Sequence, residues 1–467
     1  MATIHPAHAP HELTQSMFNY GLMFGGQAPE RRAADLAEIC SVRVQELFDD
    51  IPSAIHQAGE DVAPIRAATI AALDRVDMSM IQPGDSVNVL CSEHGFAMMG
   101  GDAYAEILRT IYDVVTERTG ANLKLALSSA ATRLEQFEIL PKYGLVEYYG
   151  GKYFAFGPFD KGIPIDTEIG RLYGVASAYS AKWIIHAVYD DPREMHFHRF
   201  TGRTLKPFAM SYARMETRSV FHNNFPTSSA SIVSRAIYES PFVQEKWAFA
   251  VALKTSPAGT VGVESDNDLV AMDRRMTRDV LRAYGKMLTL LRTVKKCVMV
   301  ADDCRWLLYQ HAGGVTACNL FEGAMDHLDL DYRSVRPPKG EAYNSMAHGP
   351  TNVVLVNSVW KNPQYYPLSP VCVTADPAIA EDLRATHPTG VEVHTGETME
   401  EALEIAKKLA GTDRVLVFDG TYGAINMSRP LAEDLIAAAP EVARRVDEEL
   451  LPKWLRQRNL SPEMQPA

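Results

Sequence analysis

Three histidines and a lysine fall close together in the middle of the chain: His196 and His198 in MHFHRFTGRTLKPF, Lys206 before Pro207 in the same run, and His222 in ETRSVFHNN. If EMHFHRF is extended, alternation puts His196 and His198 on one face and Phe197 on the other. Neutral imidazole ligates nickel, zinc or iron and is also the natural acid or base near neutral pH, so the group suits metal binding or proton transfer. A lysine amine kept from water adds a point of covalent attachment. A lone histidine is more often an ordinary core or surface residue. Here His186, at the end of an apolar run, precedes the group, and the clustering favours a site.

Arg193, Arg199, Arg203, Arg214 and Arg218 crowd the same segment of a chain whose net charge is -12. The local field is therefore positive and suits a carboxylate or a phosphate, which arginine binds through two parallel hydrogen bonds. Surface pairing with Asp191, Glu194 and Glu216 accounts for about half of them; Arg214 and Arg218, four apart beside His222, are the preferred anion contacts. Gly100 and Gly101, ahead of Asp102, offer free backbone N–H groups of a helix start to a phosphate, although an ordinary helix-start loop is the commoner use of such a pair.

The elements that must position these groups alternate between strand and helix. Val87–Cys91 reads as a short apolar strand, GGDAYAEILRTIYDVVTERTG as a helix capped by Asp102 and stopped at Gly120, and Leu123–Ser129 as a second strand. Strand, helix, strand in that order predicts a right-handed parallel crossover. AYSAKWIIHAV predicts another buried strand ending at His186, and a long amphipathic helix begins near residue 269. KKCVMVAD, TNVVLVNS, SPVCVTAD, GVEVHTG and DRVLVFDG are β-branched strands of a second lobe, with Thr398 and Glu401 as a capping box and Gly411 as a helix stop. Spacing of apolar residues at three and four predicts helices over residues 30–75 and again in the tail from Pro430. The fold class expected is α/β: two lobes with mainly parallel sheets and a cleft between them, divided as 1–268, 290–425 and a helical tail 426–467.

GIPIDTEIG followed by a buried strand, His186, the order His196, Lys206, His222, and the closing TMEEALEIAKKLAGTDRVLVFDG together resemble the lactate racemase (LarA-like) family over about residues 80–425. The resemblance implies a nickel-pincer nucleotide, a pyridinium mononucleotide tethered to a lysine and holding nickel through carbon and sulfur with a histidine as fourth ligand. Carried across, Lys206 is the tether, His222 the nickel ligand and His196 a catalytic base. It implies an isomerase, a racemase or epimerase of a 2-hydroxy acid, in which hydride leaves the carbon bearing the hydroxyl, a base takes the hydroxyl proton, and hydride returns to the opposite face. It also implies cofactor-synthesis enzymes as partners.

The sequence departs from that family at two places. Ser92-Glu93-His94-Gly95 stands where the family carries an acidic-x-Thr-Arg loop, and Ala130-Ala131-Thr132-Arg133 where it carries Gly-Thr-His-Arg with a second base. His94, His198 or Arg133 is left to fill that second place, or the substrate is a larger sugar acid that is epimerised. Two other classes stay open: a zinc- or iron-dependent hydrolase or lyase in which Lys206 polarises a carbonyl, and a non-catalytic carboxylate-binding protein.

Composition narrows the partners. Acidic residues outnumber basic ones 58 to 46 and no Lys/Arg run could follow a phosphate backbone, which argues against nucleic acid. No stretch approaches the ~18 apolar residues of a membrane span, and MATIHPAHAPHELTQ lacks the basic and apolar regions of a signal peptide, so a cytoplasmic location is expected. Cys40, Cys91, Cys297, Cys304, Cys318 and Cys372 are scattered and form no C-x-x-C pair, which fits reduced structural thiols. Homo-oligomerisation stays open.

Overall fold

A computed structural model describes residues 2–8, 31–57, 59–97, 101–129, 136–190, 201–224, 230–302, 328–331, 353–357, 371–386, 391–419 and 422–461. The chain forms two compact units, one of residues 1–53, 256–258 and 281–467, the other of 54–255 and 259–280. Among the described residues the strands are β1 His5–Pro6, β2 Ile39–Arg43, β3 Ser86–Ser92, β4 Asn122–Ser128, β5 Tyr153–Phe156, β6 Gly162–Thr167, β7 Gly170–Val175 and β8 Trp183–Tyr189. They continue with β9 Trp247–Ser256, β10 Gly259–Asp266, β11 Val298–Ala301, β12 Val353–Val356, β13 Val371–Thr374, β14 Glu392–Thr395, β15 Val415–Phe418 and β16 Ala424–Ser428. Both units are α/β, as the alternation of apolar strands and amphipathic helices predicts.

In the unit of residues 54–255 the sheet order is β10-β9-β8-β3-β4-β5, with β9, β8, β3, β4 and β5 parallel. The helix Asp102–Thr119 links β3 to β4 and buries Tyr104, Ile107, Leu108, Ile111 and Val115; it ends where Gly120, at φ 66°, donates its N–H to Thr116 O. The opposite face of the sheet, carrying Leu90, Ala126, Ile184 and Phe156, is covered by Phe208, Tyr212, Phe221 and Ile237 from the chain after β8. Strands covered on both faces are apolar at successive positions rather than alternate ones, which is why VLC and LAL read as continuous apolar runs. Val89 and Leu90 are wholly buried. Burial of each such side chain stabilises by roughly 1.5–3 kcal/mol.

The other unit holds a sheet of order β1-β2-β16-β15-β11-β12-β13-β14, in which β15, β11, β12, β13 and β14 are parallel. β2 pairs antiparallel with β16, Cys40 opposite Met427. Residues 39–43 were expected in a helix, and the N-terminal segment with the first lobe. The β-branched, nearly fully buried ICSVR instead completes a sheet whose other strands come from the end of the chain, and tertiary pairing overrides the local helical spacing. Among the described residues of that stretch, α-helix forms over Val44–Leu47 and Ala63–Leu73, with one 3-10 turn at Ala33–Asp35. The expected division near residues 268–290 coincides with one helix, Leu269–Leu291, whose residues are shared between the units. The tail helix Arg429–Arg445 buries Leu431, Leu435 and Val442 within the same unit as β16. Thr398 Oγ1 accepts the Glu401 N–H at 3.2 Å, while the Glu401 carboxylate reaches the N–H of Glu397, one residue before the position a capping box would use.

Candidate functional site

From β3 the chain proceeds to β4 and β5 on one side, then returns to place β8 on the other side of β3. Ligands of open parallel sheets gather outside the strand carboxyl ends at such a reversal. The groups described there are Ser92 and Glu93 after β3, Ser128 and Ser129 at the end of β4, and Asp190 after β8. Ser92 and Ser128 among them are linked through Ser211. Ser128 Oγ donates to Ser211 O at 2.6 Å, and Ser211 Oγ approaches Ser92 Oγ at 3.5 Å. The Tyr104 hydroxyl donates to Ala187 O at 2.7 Å and accepts the Ser92 N–H at 3.4 Å, so one side chain spans the ends of β3 and β8.

Lys206 opens the short helix Lys206–Ala209 and is half-buried. A residue before proline is biased towards extended backbone, but here Pro207 sits in the first helical turn, where its missing N–H leaves no gap. His222 lies in the last turn of the next helix, Met215–Asn223, which packs on the first. The His222 side chain is exposed; what desolvation it undergoes, then the Lys206 and Arg218 charges, hold its imidazole below the ordinary value against a hydrogen bond to the Arg218 backbone. The structure therefore brings Lys206, Arg218 and His222 together and favours a neutral imidazole. Arg218 is buried and donates from Nε to Ala213 O at 3.2 Å; burial lowers its pKa to about 10 against the opposing charge of Glu93. Glu93, itself buried, was not anticipated as the counter-charge of this arginine, and nothing in SEHGF signals it. Arg214 pairs with Glu216 at 3.0 Å, the surface pairing that was the alternative to an anion contact, and its stem lies against Gly162, where a Cβ would overlap it.

His186 is a core histidine. It lies inside β8 rather than at its end, fully buried, with Nδ1 against the Tyr212 hydroxyl at 2.8 Å and Nε2 against Thr204 O at 2.9 Å, and burial lowers its pKa to about 4. Arg203 is not a surface cation either. It makes a bidentate pair with Asp190 at 2.8 and 2.9 Å, and both side chains are almost completely buried. Asp273 accepts the Gly202 and Thr204 N–H groups at 2.8 and 3.1 Å and the Thr204 hydroxyl at 2.8 Å, which fixes the chain leading to Lys206.

Gly101 precedes the helix Asp102–Thr119 at φ 76°, and a Cβ there would overlap Phe96 O and the Tyr143 hydroxyl. The helix start it prepares is already engaged: the Asp102 carboxylate accepts the Ala103 and Gly59 N–H groups at 2.9 and 3.0 Å and meets His56 Nε2 at 3.2 Å. His56 Nδ1 faces Asp61 O at 3.2 Å. An imidazole facing an acceptor at each nitrogen can donate from both only when protonated; although burial opposes it, the Asp102 hydrogen bond and charge raise the pKa of His56.

Gly100, Arg133, His196 and His198, with Arg193 and Arg199, lie outside the described residues; His94 falls in the helix Glu93–Ala97 by its backbone alone. Among the described residues no three His, Cys, Asp or Glu side chains are grouped to hold a metal ion, and no helix is long and apolar enough to cross a membrane.

No protein family and no curated protein matches the chain. Among solved structures, the lactate racemase apoprotein from Thermoanaerobacterium thermosaccharolyticum is similar over 80% of this chain and 98% of that one, at 12% identity and a TM-score of 0.47. A likeness of that degree assigns no residue a role.

Proposed function

We propose that this protein is a racemase or epimerase of a 2-hydroxy acid that uses a nickel-pincer nucleotide tethered to Lys206, with His222 as the metal's protein ligand. The observation that carries the reading is the placement of Lys206 and His222 on two consecutive packed helices, the exposed imidazole held towards its neutral form by what desolvation it undergoes and by the neighbouring cations. A neutral imidazole has the lone pair that ligation needs, and a half-buried lysine at a helix start can be reached from outside, so these two residues fit such a group. When bound, the nucleotide supplies an acceptor for hydrogen at the carbon bearing the hydroxyl.

The chain's own residues do the rest. Arg218, a buried cation, orients an anionic group of substrate or nucleotide beside His222, with Glu93 balancing its charge when the site is empty of anions. His196 takes the hydroxyl proton on one face, and the second base comes from His94, His198 or Arg133. A separately synthesised nucleotide requires its synthesis enzymes as partners.

Intact-mass measurement of protein made together with those enzymes tests the reading. A discrete added mass should map to Lys206 and vanish in Lys206→Ala, together with nickel and turnover. His222→Ala should keep the mass and lose nickel. Absence of any added mass in active protein would sink the reading, while mass on another lysine, such as Lys161 or Lys182, would overturn the residue assignment alone.

A further inference from the structure

The unit of residues 54–255 contains a concavity at the end of the sheet away from Ser92. It has a volume of about 830 Å³ and is lined by Asn88, Lys124, Phe154, Lys161, Ser177 and Ser180 among others. Asn88 stands near the start of β3 and Ser92 at its end, so at ~3.3 Å per residue the two places are roughly 13 Å apart along one strand. Asn88 is in register with Lys124 on β4, which puts both side chains on one face.

The walls are built rather than loose. The Asn88 amide donates to Ser177 O at 3.2 Å and Ala178 O at 3.0 Å, and the Ala176 N–H donates to Lys161 O at 2.8 Å. Nearby lysines are engaged, Lys182 by the Asp85 carboxylate at 2.9 Å and Lys246 by Ala181 O at 3.1 Å. Lys124 and Lys161 form no hydrogen bond or ion pair through their amines among the described residues. The one carboxylate in the lining, Asp160, accepts the Gly157 N–H of its own turn at 3.0 Å. In a chain with 58 acidic and 46 basic residues, two ammonium groups that pair with no carboxylate among the described residues, beside an Asp160 engaged by its own turn, mark a place for an anion from outside. The volume falls in the usual range for metabolite pockets, about 300–1,000 Å³, well above what a bare ion fills. Phe154, partly buried against the core, offers an apolar surface beside the lysines.

We propose that this concavity binds a small organic anion, its phosphate or carboxylate held by Lys124 and Lys161 and its apolar part resting on Phe154. The site is independent of the Lys206 and His222 reading. Calorimetry on the full chain, with phenyl phosphate and phenylacetate as probes and inorganic phosphate as reference, tests it. At least one aromatic probe should bind saturably and more tightly than inorganic phosphate, and rising salt should weaken it. The double variant Lys124→Ala, Lys161→Ala should weaken binding about tenfold or more without moving the melting temperature, because both side chains are exposed and unpaired. Bound probe should also protect both lysines from acetylation as read by peptide mass spectrometry, and Lys206→Ala should bind unchanged. Which of the two aromatic probes binds identifies the anionic group. No saturable binding of either, or equal affinity in the double variant, overturns the proposal.

Discussion

Asp190→Asn is the substitution whose cost follows most directly from the structure. It keeps the shape of the side chain and removes its charge, while Arg203, only 2% exposed at its side chain, has no route to water. Removing one partner of a buried, hydrogen-bonded ion pair typically costs about 3–5 kcal/mol, because the remaining charge stays in a low-dielectric interior. The unit concerned has about 220 residues. For domains of that size each kcal/mol lowers the melting temperature by about 2–4 °C, so a fall of about 6–20 °C is expected. Calorimetric melting of parent, Asp190→Asn, Asp190→Leu, Arg203→Met and the double variant Asp190→Leu with Arg203→Met gives both the single cost and the coupling. The double variant should be clearly more stable than Asp190→Asn, since apolar replacement of a whole pair is often close to neutral. A shift below about 2 °C for Asp190→Asn, or a double variant as unstable as the single one, would refute the view that Arg203 is charged and confined.

Three further outcomes are expected. His56 titrates above its ordinary value: burial opposes this, but the Asp102 hydrogen bond and charge outweigh it. Its contribution to stability is therefore complete below the unfolded imidazole value of about 6.5 and is lost as pH rises through the folded one, so His56→Gln should flatten the fall in stability on going from acid to mildly alkaline pH, as read by urea midpoints. Gly101→Ala, at φ 76° and against Phe96 O, should cost about 2 kcal/mol, and an unaltered unfolding midpoint would show that the 101–102 turn relaxes freely. Thr398→Ala, which deletes the acceptor of the Glu401 N–H, should cost about 1 kcal/mol, with Thr398→Ser restoring most of it in the same assay.

The parallel core of each unit was legible because its strands are short and apolar, with amphipathic helices such as Asp102–Thr119 and Met399–Ala410 between strands consecutive in the chain. Ser86–Ser92, Asn122–Ser128 and the strands at 298, 353, 371, 392 and 415 lie where alternation put them. β2 was not legible. ICSVR sits in a stretch whose apolar spacing also satisfies a helix, and what decides is a partner strand far along the chain. At the candidate site, the association of Lys206, Arg218 and His222 could be anticipated from sequence distance, since all three fall on two neighbouring helices. The fates of His186 and Arg203 could not. Each depends on partners, Tyr212 with Thr204 O and Asp190, whose approach is set by packing rather than by local pattern. Glu93 beside Arg218 is missed for the same reason: an acidic residue after a strand looks like a solvated loop until a buried cation is found near it.

The antiparallel pairing of β2 with β16 bears on the birth of the molecule at the ribosome. Residues 39–43 emerge early and meet their partners at 424–428 only after roughly 380 further residues have been made. At about 5–20 residues per second that is a wait of roughly 20–80 s, during which the whole 54–255 unit, with contiguous strands β3 to β9, has been synthesised and can fold. Until then Ile39, Cys40 and Val42, buried in the finished sheet, lack their β16 partner strand. Nascent chains stalled before residue 424 should therefore show a protected central unit and an N-terminal segment open to proteases or held by a chaperone, whereas release past residue 428 should close both ends of the chain in a single late event.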